Sequence, residues 1–138
     1  MPGHCYHVTF TTASRAPFFL DRSLAGTASA ALTHPDFLGT TVMLAWVLMP
    51  DHAHLLLQLG SREPLARVAN RLKSASARKT NAVRGKTGAL WSPGYYDHAM
   101  RVDEDLRTTA EYILANPVRA GLVERIEEYP FKGSLWAS

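Results

Sequence analysis

The stretch MPDHAHLLLQL, residues 49–59, decides how this 138-residue chain folds. Successive side chains of a β-strand point to opposite faces, so the stretch separates into two sets. One set is entirely apolar and consists of Ala53, Leu55, Leu57 and Leu59. The opposite set includes His52 and His54, and two neighbouring imidazoles on a rigid strand can hold a divalent metal ion. A surface strand with two incidental histidines explains the same pattern equally well.

Length and composition indicate one domain over residues 1–138. Hydrophobic residues make up 46% of the chain and charged residues 20%, which is typical of a soluble globular protein. Cys5 is the only cysteine, so the chain can form neither an internal disulfide nor a thiolate metal cluster. The N-terminus does not resemble a signal peptide and no apolar run is long enough to cross a membrane. We therefore expect a cytoplasmic protein without a membrane partner.

Basic residues are concentrated in one segment of the chain. Eight of the fifteen lysines and arginines lie between positions 62 and 86, where Glu63 is the one acidic residue. Such a local excess of positive charge favours a polyanionic partner.

Alternating and apolar runs predict four strands, over residues 4–12, 40–49, 49–59 and 94–101. Helices are predicted over residues 22–33, 64–83 and 104–116, with Asp21 and Asp103 as caps of the first and last. This order predicts an α+β fold: a ferredoxin-like split βαβ antiparallel sheet with an additional C-terminal helix. Helices would cover one face of the sheet, and His52 and His54 would lie on the other. The tail, with Tyr129 and Trp136, is expected to pack across the body.

The helix that begins at Pro64 has an apolar stripe and a basic face. The stripe consists of Leu65, Val68, Ala69, Leu72, Ser76 and Val83. The opposite side carries Arg67, Arg71, Ser74, Arg78 and Asn81. A solvated face and a phosphate-binding face are equally supported by this pattern.

Tyr112 does not lie on the core stripe of the last helix. That stripe consists of Leu106, Ala110, Ile113 and Leu114, and Tyr112 lies about 145° from its centre. Asn116 follows four residues later and shares an edge of the helix with Tyr112. An asparagine before Pro117 is also a common helix stop, and both roles are compatible.

Four segments together resemble the single-tyrosine HUH transposases, specifically the REP-associated tyrosine transposases. They are YHVTF at 6–10, MPDHAHLLL at 49–57, LWSPGYYDHAMR at 90–101 and EYILANPVRAGLV at 111–123. Asp51 stands where that family usually has Asn, and Ser92-Pro93 replaces a Gln-Arg-like pair. The second departure concerns DNA contacts rather than the chemistry.

The resemblance implies a single HUH domain in which Tyr112 is the nucleophile and His52, His54 and Asn116 hold Mg²⁺ or Mn²⁺. It implies cleavage and rejoining of single-stranded DNA beside a REP-like hairpin through a 5′-phosphotyrosine, by a monomer or homodimer. A hairpin-binding protein that has lost turnover and a metal phosphodiesterase that uses water are the alternatives.

Several further residues are candidates for contact with the DNA. The expected phosphate contacts are Arg67, Arg71, Lys73, Arg78 and Lys79. Trp91, Tyr95 and Tyr96 are candidates for stacking on bases, although core packing is the favoured interpretation of strand aromatics. His98 and Arg101 complete the set of candidates.

Overall fold

The computed structural model describes residues 3–60, 63–101 and 103–136. Its strands are β1 Cys5–Thr11, β2 Val42–Met49, β3 His52–Gln58, β4 Tyr96–Ala99 and β5 Lys132–Ser134. Its α-helices are α1 Arg22–Leu32, α2 Pro35–Leu38, α3 Leu65–Arg84, α4 Leu106–Leu114 and α5 Asn116–Arg119. None of the helices described is long and apolar enough to cross a membrane.

The five strands form one antiparallel sheet in the order β4-β1-β3-β2-β5. The first four strands have the split βαβ arrangement, so the predicted α+β ferredoxin-like fold is confirmed. The fifth strand was not predicted. It pairs with the outer edge of β2, where Ala45 lies opposite Ser134, and three residues are too few to show an alternating pattern.

A core lies on each face of the sheet. On one face, α1 and α3 cover the apolar side of β3 and the buried β1 residues Val8 and Phe10. On the other face, α4 packs Ala110 and Ile113 against Leu56. The expectation that helices lie on one face therefore holds for α1 and α3, whereas α4 covers part of the histidine face. Helix α4 is amphipathic, and its apolar side buries the apolar side chains of that face.

Helix α4 begins two residues later than predicted. Its cap is Asp105, whose carboxylate accepts hydrogen bonds from the backbone N–H groups of Arg107 and Thr108. Asp103 is wrong as the cap, because its carboxylate instead lies 3.5 Å from Nε of Arg101. Of the stripe predicted for α3, Val68, Ala69, Leu72 and Ser76 are buried, Leu65 is partly buried, and Val83, in the last turn, is 53% exposed.

The tail packs across the body as expected. Tyr129 is buried, and its hydroxyl donates a hydrogen bond to the carbonyl oxygen of Leu48. Burial raises the pKa of the Tyr129 phenol to about 12. The tail thus closes the second core next to the end of β2.

Candidate metal centre and nucleophile

His52 and His54 lie side by side on the face of β3 that also carries Leu56. Their ring centroids are 5.0 Å apart and the ring planes are nearly perpendicular. The imidazole of His52 is 19% exposed. The alternation of β3 and the neighbouring strands β1 and β2 hold the two rings in place on a rigid sheet.

The ring of His52 is oriented by a carboxylate. Nδ1 of His52 lies 2.8 Å from Oδ1 of Asp51, and Oδ2 of Asp51 lies 3.1 Å from Nε of Arg15. Burial tends to raise the pKa of Asp51, but hydrogen bonds from His52 and Arg15 hold it below its usual value. An ionised carboxylate only accepts hydrogen bonds, so Nδ1 of His52 donates to it and Nε2 is the ring nitrogen left for a metal ion.

The ring of His54 is oriented by side chains of β1. Its Nδ1 lies 3.0 Å from Nε2 of His7 and 3.1 Å from Oγ1 of Thr9. Burial, together with the smaller effect of the charges of His52, His7 and Arg119, lowers the pKa of His54 to about 3. The imidazole is therefore neutral at physiological pH, which is the state that binds metal ions.

Tyr112 lies on α4, which packs on the histidine face of the sheet, and Asn116 begins α5 directly after it. The amide of Asn116 donates from Nδ2 to the carbonyl oxygen of Ile113 at 3.0 Å, while Oδ1 has no hydrogen bond within the described residues. Tyr112 is 57% exposed, and its hydroxyl also has no partner within that part of the chain. Tyr112 therefore lies off the core stripe, as the helical pattern predicted.

The donor set fits a divalent metal ion. In both histidines Nδ1 has a neighbour and Nε2 has no hydrogen bond among the residues described, as in metal-binding histidines whose second nitrogen is held by a nearby group. No cluster of three or more His, Cys, Asp or Glu side chains suited to a metal occurs in residues 3–60, 63–101 and 103–136. A third ligand would therefore be a different donor, and Oδ1 of Asn116 is one.

Helix α3 presents its predicted phosphate-binding residues in two different ways. Arg67, Arg78 and Lys79 are exposed. Arg71 is engaged within the protein, since its guanidinium pairs with Glu63 and donates to the carbonyl oxygen of Phe37. Lys73 is engaged as well, because its ammonium donates to the carbonyl oxygens of Ser92 and Gly94. The structure thus gives Arg71 and Lys73 a role in joining elements.

The aromatic candidates also differ in their surroundings. Trp91 is 5% exposed and its Nε1 donates to the buried hydroxyl of Ser76, so it belongs to the core. Tyr95 is half-buried against Phe10, and burial raises the pKa of its phenol. Stacking on a base would require Trp91 to leave the core, which is a physical argument against that candidate role.

At the edge of the sheet the remaining candidates are exposed. Tyr96 is 73% exposed on β4. The guanidinium of Arg101 lies 3.7 Å from the carboxylate of Glu104, and the same carboxylate accepts a hydrogen bond from His98 at 3.0 Å. The edge thus combines an exposed ring with charged groups.

Sequence reasoning missed four residues next to the site: His7, Thr9, Arg15 and Arg119. The signal for the first two was available, because the alternation of β1 places His7 and Thr9 on one face. Their contact with His54 depends on the strand register, in which Thr9 lies opposite His54. Arg15 and Arg119 reach the site through a loop and a one-turn helix, which carry no periodic signal.

Comparison with known proteins identifies relatives of the chain. Residues 2–116 match the profile of the family described as transposase, IS200-like. A REP-associated tyrosine transposase of Escherichia coli K12 is 31% identical over 87 residues, covering 63% of this chain and 50% of that protein. A Haemophilus influenzae protein, provisionally described as a REP-associated tyrosine transposase, is 32% identical over 98 residues. The match covers 64% of this chain and 56% of that protein. The chain thus spans about half the length of the curated relatives it matches.

The fold is shared with a solved protein. The structure of a REP-associated tyrosine transposase bound to a REP hairpin superposes with a TM-score of 0.73, covering 96% of this chain and 77% of that one. The two sequences are 22% identical, so this likeness is one of fold. The family profile, by contrast, covers most of the sequence, including the histidine pair, Tyr112 and Asn116. The chain belongs to the IS200-like transposase family.

Proposed function

We propose that this protein cleaves and rejoins single-stranded DNA beside hairpins, using a divalent metal ion and a covalent 5′-phosphotyrosine on Tyr112. One observation carries the proposal: His52 and His54 each have Nδ1 held by a neighbour, leaving both Nε2 atoms available on the face covered by α4. The same helix presents the exposed Tyr112, one turn before Asn116.

The residues present would hold Mg²⁺ or Mn²⁺ through Nε2 of His52, Nε2 of His54 and Oδ1 of Asn116. Such an ion, when bound, polarises a phosphodiester and neutralises the negative charge that develops on it. Asp51 and Thr9 keep the two rings in orientation, and the bond from Asn116 Nδ2 to Ile113 keeps the amide in place.

The reaction itself is carried by Tyr112. Its hydroxyl oxygen attacks the phosphorus, a Tyr–O–P bond forms, and the bond from phosphorus to the 3′ oxygen breaks. The phenol proton passes to solvent and the departing 3′ oxygen takes up a proton. One phosphate ester replaces another, so a 3′-hydroxyl can reverse the step without ATP. The exposure of Tyr112 allows a DNA strand to reach the hydroxyl.

Hairpin DNA is the substrate that the relatives support best. The Escherichia coli relative is named a REP-associated tyrosine transposase, and the structural relative was solved with a REP hairpin. On this chain, the exposed Arg67, Arg78 and Lys79 would contact phosphates of the DNA. The protein would act in the cytoplasm as a monomer or homodimer.

Two alternatives give different products. A binding protein without turnover would hold the hairpin and leave it intact. A phosphodiesterase that uses water would cut the strand and leave no protein attached to it. Detection of a covalent protein–DNA adduct therefore separates the proposal from both alternatives.

The decisive experiment uses a hairpin-bearing single strand labelled on the 3′ side of the cut, incubated with protein and Mn²⁺ and analysed by denaturing electrophoresis. Wild type should give a labelled protein band, and the band should disappear in EDTA. Tyr112→Phe should give neither adduct nor cleavage while binding the hairpin normally, because only one exposed oxygen is removed. Its stability should change by about 1 kcal/mol or less.

Tyr96→Phe is the matched control, since it removes a hydroxyl from another exposed tyrosine. That variant should form the adduct at the wild-type rate. A labelled protein band from Tyr112→Phe would identify a different nucleophile. Cleavage by wild type without an adduct at any time would instead favour the phosphodiesterase.

A further inference from the structure

Arg119 makes two contacts with Tyr112. The guanidinium carbon lies 3.9 Å from the centroid of the Tyr112 ring. The Nη1 group donates a hydrogen bond of 3.1 Å to the backbone carbonyl oxygen of Tyr112. The side chain of Arg119 therefore contacts both the ring and the backbone of Tyr112.

The position of Arg119 is set by the one-turn helix α5. Its backbone N–H donates to the carbonyl oxygen of Ala115 at 3.0 Å, and Pro117 in the same turn is buried. The turn begins with Asn116, whose side chain is tied to Ile113. The guanidinium and the candidate amide ligand are thus carried by a single fixed turn that follows the tyrosine helix.

Arg119 lies three residues after the candidate metal ligand Asn116, in the same one-turn helix. A guanidinium has five N–H donors, and one of them is used in the bond to Tyr112. The side chain is exposed, so the remaining donors can meet a phosphate.

We propose that Arg119 positions Tyr112 for attack and, through its remaining N–H groups, contacts the phosphate that is attacked. This inference rests on the proposed function. The alternative is that Arg119 only caps the C-terminal carbonyl groups of α4, in which case its loss would lower stability but leave the chemical step unchanged. The two roles are separated by measuring the rate, the affinity and the stability of the same variants.

The test measures the rate of adduct formation in a single turnover with saturating hairpin DNA and Mn²⁺, together with hairpin affinity and melting temperature. Arg119→Met keeps an unbranched side chain and loses the charge and the donors. Its rate should fall about 10- to 100-fold, the range expected for one charge-assisted contact, with little change in hairpin affinity. Arg119→Lys keeps the charge but not the planar group, so its rate should be intermediate.

Chemical rescue provides a readout that a purely structural role would not change. Added guanidinium ion should raise the rate of Arg119→Ala and leave wild type unaffected. The matched control is Arg107→Ala, which removes an exposed arginine from α4 and should keep the wild-type rate. Wild-type rates in all Arg119 variants, or rates that follow only the melting temperature, would overturn the inference. Absence of an adduct from wild type in the same gel would overturn the proposed function and this inference with it.

Discussion

Asp51 has a consequence for the metal site that its position in the sequence does not reveal. The resemblance leads one to expect Asn at this position, and an amide could either donate to or accept from Nδ1 of His52. The carboxylate can only accept, and Arg15 holds it in place at 3.1 Å. Ser14 and Arg15 both have positive φ values, 55° and 54°, a conformation that non-glycine residues seldom adopt. The strained loop next to the site thus contributes to the orientation of His52.

At this scale His54 predicts a pH dependence of stability. Its pKa is about 3 in the folded protein and about 6.5 in an unfolded chain. At pH values between these two pKa values, His54 is protonated in the unfolded state but not in the folded state, so acid favours unfolding. The contribution of His54 is complete above pH 6.5 and is lost as the pH falls towards 3. His54→Gln should therefore flatten the fall in the free energy of unfolding by at most about 1.4 kcal/mol per pH unit.

The measurement is chemical denaturation of metal-free protein at a series of pH values between 7 and 4. His4→Gln, which replaces an exposed histidine, serves as the control and should retain the wild-type slope. Equal slopes for wild type and His54→Gln would show that folding does not lower the pKa of His54.

Among the elements, α4 combines a structural boundary with the candidate nucleophile. The structure predicts that Asp105→Ala destabilises the helix, because two backbone N–H groups lose their acceptor. The melting temperature should fall by about 3 °C. Asp103→Ala should leave it nearly unchanged, since the exposed pair with Arg101 contributes little. Thermal unfolding followed by circular dichroism compares the two, and a larger fall for Asp103→Ala would place the cap where the sequence pattern put it.

Over the whole molecule, the basic residues of α3 separate into exposed groups and groups engaged within the protein. Arg67 and Arg78 are exposed, and we expect both to contact phosphates. Each such contact releases counterions and steepens the salt dependence of binding. The double variant Arg67→Ala/Arg78→Ala should weaken hairpin binding. Its log–log slope against salt should fall by about 1.5 to 2. Fluorescence anisotropy with a labelled hairpin at several salt concentrations measures both quantities.

Arg71→Ala is the informative comparison. Its guanidinium joins Glu63 to the end of α2, so its removal should lower stability and leave the salt slope unchanged. If Arg71→Ala flattens the slope as much as one of the exposed arginines does, the internal pairing gives way to DNA. If the double variant keeps the wild-type slope, the exposed face is merely solvated.

Local periodicity in the sequence predicts which side chains of β3 and α4 are buried and which are exposed. The alternation over 49–59 places Ala53 and Leu55 in one core and His52 and His54 on the opposite face, as the structure has them. The helical pattern likewise places Ala110 and Ile113 in the core and leaves Tyr112 exposed. Both patterns depend only on the geometry of a single strand or helix, and the hydrophobic effect acts on them directly.

What surrounds those residues was decided by tertiary structure. His54 meets Thr9, 45 residues earlier in the chain, because two strands pair in one register. Arg71 pairs with Glu63, and Lys73 donates to the carbonyl oxygens of Ser92 and Gly94, rather than extending into solvent. Each of these outcomes depends on which distant groups approach within hydrogen-bonding distance. Periodicity carries no information about such approaches, because they follow from the packing of elements against one another.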